Sequence, residues 1–205
     1  MSRLSIIAAG VLLASLCPQA SAQTSNGNWG VRGSLGLSTG DLKDTTNNTP
    51  GLGLGGFYEY RLTDKQAIQA RLDGLLFRSA HRQTTGVSAG TPWTRDLDNQ
   101  VAAWMLGAEY LMQPIHDQPR LRVGGGLHLV RWVVNDTSRL SLSVGGGPGT
   151  VLESSNPTWT KVGLSLVANY RLSPHLSAEA RVLSSSDGWQ GERVQVAQVG
   201  LSWSF

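Results

Sequence analysis

The chain has few cysteines and few charges for its length of 205 residues. It contains one Cys, at position 17, and only 15% of its residues are Asp, Glu, Lys or Arg. This charge content is too low for a disordered chain that charge repulsion keeps open. The net charge of +3 comes mainly from Arg residues that are scattered singly. Because no basic stripe is present, we expect no nucleic-acid partner.

Long hydrophobic runs are absent after the N-terminal residues. An α-helix needs about 20 apolar residues to cross a bilayer, so the sequence excludes a membrane protein built from several helices. Glycine, in contrast, is abundant, with 25 residues, well above its usual share. This composition favours an all-β protein that is rich in turns.

The N-terminus has the pattern of an export signal. A positively charged start precedes an apolar run from Leu4 to Leu16, and Ala20–Ala22 forms a small-x-small cleavage site. We therefore expect residues 1–22 to be a signal peptide that is cleaved after Ala22. Residues 23–205, which contain no cysteine, would then form one exported domain. Lipidation at Cys17 is the alternative, and the bulky residue before it disfavours that processing.

Apolar residues occupy alternate positions through most of residues 23–205. Eight segments show this period of two, and each spans about nine to thirteen residues, the length of a tilted membrane-spanning strand. Examples are Trp29, Val31, Leu35 and Leu37, then Ala102, Trp104, Leu106 and Ala108, and finally Ala197, Val199, Leu201 and Trp203. An even number of strands allows a closed antiparallel barrel with both ends of the chain on one side.

The connections between these segments alternate in length. Three are short turns, around Thr63–Lys65, Pro114–Pro119 and Ser173–His175. The other four are longer and polar, at about residues 39–50, 79–98, 135–158 and 184–192. Short periplasmic turns and long extracellular loops are typical of outer-membrane barrels. The sequence predicts an all-β fold: an eight-stranded antiparallel up-and-down transmembrane β-barrel. A soluble lipocalin-like barrel, whose apolar face points inward, is the alternative.

The aromatic residues of the strands collect near the short turns. The set consists of Trp29, Tyr58, Tyr60, Tyr110, Tyr170 and Phe205. Amphipathic aromatic rings are enriched where the hydrocarbon of a membrane meets the headgroups. We therefore interpret this set as the periplasmic aromatic girdle of the barrel, since core tyrosines of a soluble protein would not gather at one rim.

The last strand carries the most specific motif. Gln198, Gly200, Trp203 and Phe205 place a polar residue, a glycine and two aromatics at fixed spacing up to the end of the chain. This motif resembles the last-strand signal of bacterial outer-membrane barrels, and residues 28–205 resemble small eight-stranded barrels of the OmpA/OmpX type. The resemblance implies a Gram-negative outer membrane, contact with its lipid and lipopolysaccharide, and recognition by the barrel-assembly machinery.

An outward apolar face would leave the charged strand residues pointing into the lumen. They are Arg32, Glu59, Arg61, Arg71, Asp73, Glu109, Arg122, Arg171, Glu179 and Arg181. Because an eight-stranded barrel is only wide enough for its own side chains, these charges must be paired. We expect each glutamate of this set to have an arginine within reach on an adjoining strand. The strands of Glu59, Glu109 and Glu179 adjoin those that carry Arg71, Arg122 and Arg171, and the exact partners depend on the register, which the sequence leaves open.

Two functions fit such a lumen. A salt-bridged plug would make the barrel a scaffold for surface interaction through its four extracellular loops, and we expect this non-enzymatic role. A gated path, which the excess of arginine would make weakly anion-selective, is the alternative. A lipid A-modifying enzyme is a third possibility, disfavoured because the sequence shows no His-x-Ser arrangement on a strand and no matching carboxylate.

Histidines and tryptophans give little further evidence of a site. His81, His116 and His175 fall in connections, we expect His128 in the lumen near the outer rim, and no cluster has the spacing of metal ligands. We therefore expect no cofactor and no metal. Four tryptophans lie in or beside the long connections, at positions 93, 132, 159 and 189. Those next to strands are expected to anchor the barrel in the membrane, and Trp189 to contact a partner.

Overall fold

The described part of the chain is almost entirely β-strand. The computed structural model describes residues 26–40, 43, 46–115, 117–144, 147–185 and 194–205, so the expected signal peptide, His116 and Trp189 lie outside these ranges. Its strands are β1 (Gly27–Gly40), β2 (Gly51–Thr63), β3 (Gln66–Phe77), β4 (Ala80–Ser88), β5 (Thr91–Met112), β6 (Leu121–Val144), β7 (Gly147–Ser155), β8 (Thr158–Arg171), β9 (Leu176–Ser185) and β10 (Val194–Ser204). Within these ranges, no helix is long and apolar enough to cross a membrane.

Eight of the described strands close into a ring. Antiparallel ladders join β1 to β2, β2 to β3, β3 to β5, β5 to β6, β6 to β8, β8 to β9 and β9 to β10. The ring closes where β10 returns to β1, with Gly30 opposite Ser204 and Gly40 opposite Val194. Closure pairs the backbone groups that an open sheet would leave unpaired in lipid. The predicted eight-stranded antiparallel barrel is thus confirmed.

The strands β4 and β7 extend this ring beyond one rim. β4 pairs with residues 91–99 of β5, β7 pairs with residues 136–144 of β6, and these parts of β5 and β6 also pair with each other. The four segments form one sheet in the order β4-β5-β6-β7, which we call the protruding sheet. Two of the predicted long connections are therefore β-hairpins, which the sequence pattern does not predict.

The two ends of the barrel differ as the connection lengths predict. We call one end the turn end. There, two residues link β2 to β3, four residues link β8 to β9, and residues 113–120 join β5 to β6. Both ends of the described barrel lie there, because the Phe205 N–H donates to the Trp29 carbonyl at 2.9 Å. The protruding sheet extends from the opposite end, the loop end.

The alternating pattern places its apolar residues on the outside. Leu54 and Leu166 are each 73% exposed, and they belong to a band of exposed apolar side chains that runs around the barrel. Alternate residues such as Arg71 and Glu109 are buried inside. A soluble lipocalin-like barrel has the reverse arrangement, whereas a continuous outward apolar band suits contact with lipid.

Candidate functional site

Six charged side chains fill the middle of the lumen. This lumen ionic cluster consists of Arg32, Arg71, Asp73, Glu109, Glu179 and Arg181, whose side chains are at most 5% exposed. Three arginines face three carboxylates, so the cluster has no net charge. The balance matters because each buried ion loses its hydration, and only close partners compensate for that loss.

Two arginines hold the cluster together. The Arg71 guanidinium lies 3.0 Å from Asp73 Oδ2, 2.6 Å from Glu109 Oε2 and 3.3 Å from Glu179 Oε1. The Arg181 guanidinium reaches the same three carboxylates, at 3.0, 3.0 and 3.3 Å. Arg32 adds contacts at 3.2 Å to Glu179 and 3.5 Å to Asp73. The planar fork of arginine suits this role, because several of its nitrogens can each face a different carboxylate.

The structure gives the partners of these glutamates, which the sequence left open. Glu109 contacts Arg71 of the adjoining strand β3, as expected. Glu179 of β9 contacts Arg71 and Arg32, whose strands do not adjoin β9, and Glu59 Oε1 of β2 accepts a hydrogen bond from Arg122 Nη1 of β6 at 2.8 Å. The narrow lumen explains these contacts, since side chains from strands that do not adjoin meet near its axis.

Four of the ten predicted lumen charges lie outside the ionic cluster, toward the turn end. They are Glu59, Arg61, Arg122 and Arg171. The Arg61 side chain is 48% exposed, and its Nε lies 3.9 Å from Glu59 Oε1. The excess of arginine that suggested weak anion selectivity therefore belongs to this partly exposed end and not to the middle of the lumen.

Sequence reasoning missed a contact among His128, Ser165 and Glu109. His128 Nε2 lies 2.8 Å from Ser165 Oγ and 3.2 Å from Glu109 Oε1, and the Ser165 hydroxyl donates to the same carboxylate oxygen at 2.9 Å. The three residues lie on β6, β8 and β5, so they form no short sequence motif from which the contact could be predicted. His128 is also deeper than expected, because it lies opposite Gly107 in the middle of the barrel.

This trio contains the residue types of a serine hydrolase but not the geometry. A catalytic triad uses one imidazole nitrogen for the nucleophile and the other for the carboxylate. Here Ser165 and Glu109 both contact Nε2, and the buried Nδ1 has no hydrogen-bond partner among the described residues. All three side chains are also buried, so the hydroxyl is not presented to solvent. The trio therefore extends the hydrogen bonding of the ionic cluster.

The lumen turns apolar between the ionic cluster and the loop end. This apolar layer is formed by Leu75, Phe77, Val101, Ala103, Met105, Val130, Trp132, Val134, Leu183, Val194 and Val196. Trp132 is fully buried in it, and Trp159 packs against it. The expected membrane anchoring by Trp132 and Trp159 is therefore wrong. Both residues occupy the alternate strand positions whose side chains face the lumen. The burial of Val130 and Val134 on either side of Trp132 indicates this.

The predicted aromatic girdle residues lie together at the turn end. Trp29, Tyr60, Tyr110, Tyr170 and Phe205 are exposed there. Tyr58 is less exposed and packs on Trp29, with ring centroids 4.8 Å apart. Their placement at a membrane interface stays a prediction.

The residues of the C-terminal motif divide between the two faces of β10. Gln198 points inward and accepts a hydrogen bond from Arg32 Nη2 at 3.0 Å, whereas Trp203 and Phe205 are exposed. Gly200 lies opposite Ser34, in close contact with β1. Recognition of this motif by an assembly machinery stays a prediction.

The protruding sheet presents a polar face on its outer side. His81 Nδ1 lies 2.8 Å from Asp98 Oδ1, and the Gln83 amide donates to Asp96 at 2.9 Å. Arg139 belongs to the same face, opposite Asp96.

At the base of the sheet, partial burial raises the pKa of the Asp136 carboxyl. Among the described residues, no group of three or more His, Cys, Asp or Glu could hold a metal ion.

Comparisons with known proteins agree with this architecture. A family model described as "Outer membrane protein beta-barrel domain" matches residues 7–205. The crystal structure of Ail, the attachment invasion locus protein of Yersinia pestis, in complex with the heparin analogue sucrose octasulfate, is 12% identical, with a TM-score of 0.50 over 87% of this chain and 97% of that one. Neisserial surface protein A is 13% identical, with a TM-score of 0.47 over 88% and 98%.

The N-terminal β-barrel domain of Pseudomonas aeruginosa OprF is 14% identical, with a TM-score of 0.43 over 89% of this chain and all of that one. At such identities, the likeness to Ail shows a shared fold. The search of curated proteins found no match.

Proposed function

Because the chain belongs to the outer membrane protein beta-barrel family, we propose that it is a non-enzymatic protein of the Gram-negative outer membrane that recognises a partner at the cell surface. The observation that carries this proposal is the protruding sheet. It continues β5 and β6 beyond the closed ring and adds β4 and β7 to them. A rigid sheet held above a barrel is a suitable base for a binding surface.

The edges of the protruding sheet support this role. β4 runs for nine residues, from Ala80 to Ser88, and its described ladder lies on one side only, against β5. An unpaired edge offers backbone N–H and C=O groups to an incoming strand. Proteins that avoid such pairing place charged residues, especially Lys, or Pro on the edge. β4 contains no Lys and no Pro, and Arg82 is its one Arg, whereas β7 contains Pro148, which has no N–H to offer. Of the two edges, β4 is therefore the one whose run of backbone N–H and C=O groups no proline interrupts.

The filled lumen supports a scaffold rather than a channel. The ionic cluster has no net charge, each of its side chains contacts an opposite charge, and the apolar layer follows it along the axis. An ion would have to displace both in order to pass. We therefore propose that the lumen stabilises the barrel that carries the protruding sheet.

Orientation follows from the same proposal. The turn end faces the periplasm, the protruding sheet faces the outside, and the residues 1–22 direct export as a cleaved signal peptide. The six aromatic residues of the turn end form the inner girdle. The outward apolar band contacts outer-membrane lipid, and lipopolysaccharide surrounds the outer face of the protruding sheet.

Shortening both hairpins tests the proposed function. A variant that lacks residues 83–96 and 139–152, with each gap closed by Asn-Gly, keeps the barrel ring and loses most of the protruding sheet. Cells that display the full chain are expected to adhere to at least one surface in a panel of immobilised proteins and polysaccharides. Cells that display the shortened chain at the same level should not adhere. Equal adhesion by the shortened chain would contradict the proposed role of the sheet.

The C-terminal residue tests the proposed assembly signal. Replacing Phe205 by Asp removes the terminal aromatic and places a charge at the lipid-facing rim, so we expect slow insertion and a lower level of folded barrel in the outer membrane. Heat-modifiable migration on gels measures the folded fraction. Gln113→Asp is the control, since it adds a charge in a connection of the turn end. Unchanged levels of Phe205→Asp would show that this residue is not read during assembly.

A further inference from the structure

An open groove of about 500 Å³ lies on the inner face of the protruding sheet. Its lining includes Ser88, Trp93, Arg95, Ser138, Leu140 and Glu153. Trp93 and Arg95 lie on the same face of β5 as the buried Val101 and Ala103, because side chains two residues apart share a face of a strand. This face therefore continues the inner wall of the barrel. The volume is typical of a site for a small ligand.

A tryptophan ring forms one wall of the groove. Gly86 lies opposite Trp93 in the ladder between β4 and β5. A Cβ atom at position 86 would meet Trp93 Cε2 at 2.6 Å and Nε1 at 3.0 Å. The indole ring therefore lies across the backbone of β4, in space that only glycine leaves free. This contact holds the ring in one place beside the groove.

The polar side chains of the groove supply both donors and acceptors. Arg95 Nε donates to Ser138 Oγ at 3.0 Å, which orients the guanidinium. Glu153 lies opposite Ser138 on β7. No ion pair among the described residues engages Arg95 or Glu153, so the remaining donors of one and the carboxylate of the other are available to a ligand. One cation and one anion leave the groove without net charge.

These groups match the chemistry of a neutral sugar. The face of an indole ring carries partial negative charge, which attracts the partly positive C–H groups of a pyranose ring. Sugar hydroxyls donate and accept hydrogen bonds, as do the two serines, while arginine only donates and a carboxylate only accepts. A polyanion would be attracted by Arg95 and repelled by Glu153. We propose that this groove binds a neutral saccharide through stacking on Trp93 and hydrogen bonds to Arg95, Ser138 and Glu153.

The position of the groove indicates where the saccharide comes from. The groove lies on the inner face, toward the barrel axis, whereas lipopolysaccharide of the same membrane would surround the outer face with His81 and Arg139. The ligand is therefore a saccharide from outside the cell. This inference rests on the proposed function, in which the protruding sheet is the recognition element.

Calorimetric titration of the full chain in lipid nanodiscs tests this inference, with maltohexaose, cellohexaose and chitohexaose as probes. At least one of the three is expected to bind. Trp93→Ala should weaken that binding about tenfold or more, as loss of a central aromatic contact does. Gly86→Val keeps the indole but places a side chain where the ring of Trp93 now lies, so it should weaken binding too. Arg95→Ala should do the same, while Arg139→Ala on the outer face is the matched control and should bind like the original chain.

Three outcomes would overturn the inference. They are no binding of any neutral probe, equal binding by Trp93→Ala, and binding of heparin or purified lipopolysaccharide in place of the neutral probes. The shortened-hairpin variant separates this inference from the proposed function. If that variant loses adhesion while no sugar binds, the sheet recognises another partner and the saccharide inference alone fails. If it keeps adhesion, the proposed function fails.

Discussion

Replacing Glu109 by Gln is expected to lower the free energy of unfolding by about 3–5 kcal/mol, because it leaves buried arginines without their full set of partners. Glu109 contacts Arg71 at 2.6 Å and Arg181 at 3.0 Å, and it accepts a hydrogen bond from Ser165. Glutamine has nearly the same shape, so the change removes charge without creating a cavity. The ionic cluster would then hold three arginines against two carboxylates.

Urea unfolding of the barrel in lipid vesicles measures this loss. Glu153→Gln is the matched control, because Glu153 is exposed and no ion pair of the described residues includes it. Its effect should be below about 0.5 kcal/mol, as for most surface substitutions. The same proteins in planar bilayers provide a second measurement. Full stability of Glu109→Gln together with a new ion conductance would mean that the cluster gates a path, and the scaffold interpretation would then be wrong.

The lipid-facing side of the barrel could be predicted from the sequence because it follows from a local rule. Side chains of a strand alternate between two faces, so a run such as Leu52 and Leu54, or Leu164 and Leu166, marks one face without any knowledge of the partner strands. The alternation of short and long connections is also local. Together they are sufficient to predict the eight strands of the closed ring and its outward apolar face.

The pairing inside the lumen could not be predicted in this way. Arg71 meets Glu179 at 3.3 Å although 108 residues separate them, since β3 and β9 face the same axis from different sides. Such contacts depend on the register of every strand in the ring and on the tilt of the strands. The same limit explains why the trio of His128, Ser165 and Glu109 was missed.

The apolar layer did leave a signal in the sequence. At Leu75–Leu76–Phe77 and at Trp132–Val133–Val134 the alternation is lost, because both faces of the strand are apolar. One face meets lipid and the other meets the layer. The protruding sheet gives the opposite pattern, since neither face of residues 80–88 is consistently apolar. Periodicity therefore ends at the rim even though the strands continue.

Replacing Trp132 by Ala is expected to destabilise the barrel by about 3–5 kcal/mol, since it opens a large cavity in a packed interior. Trp132 is fully buried, and its indole N–H has no acceptor among the described residues. Trp132→Phe should therefore cost clearly less, because it keeps much of the packing and removes a buried donor without a partner. Trp104→Ala is the control of matched residue type, since Trp104 is 50% exposed on the outer face of β5. Unfolding in vesicles that ranks Trp104→Ala as more damaging than Trp132→Ala would contradict a lumen stabilised by its apolar layer.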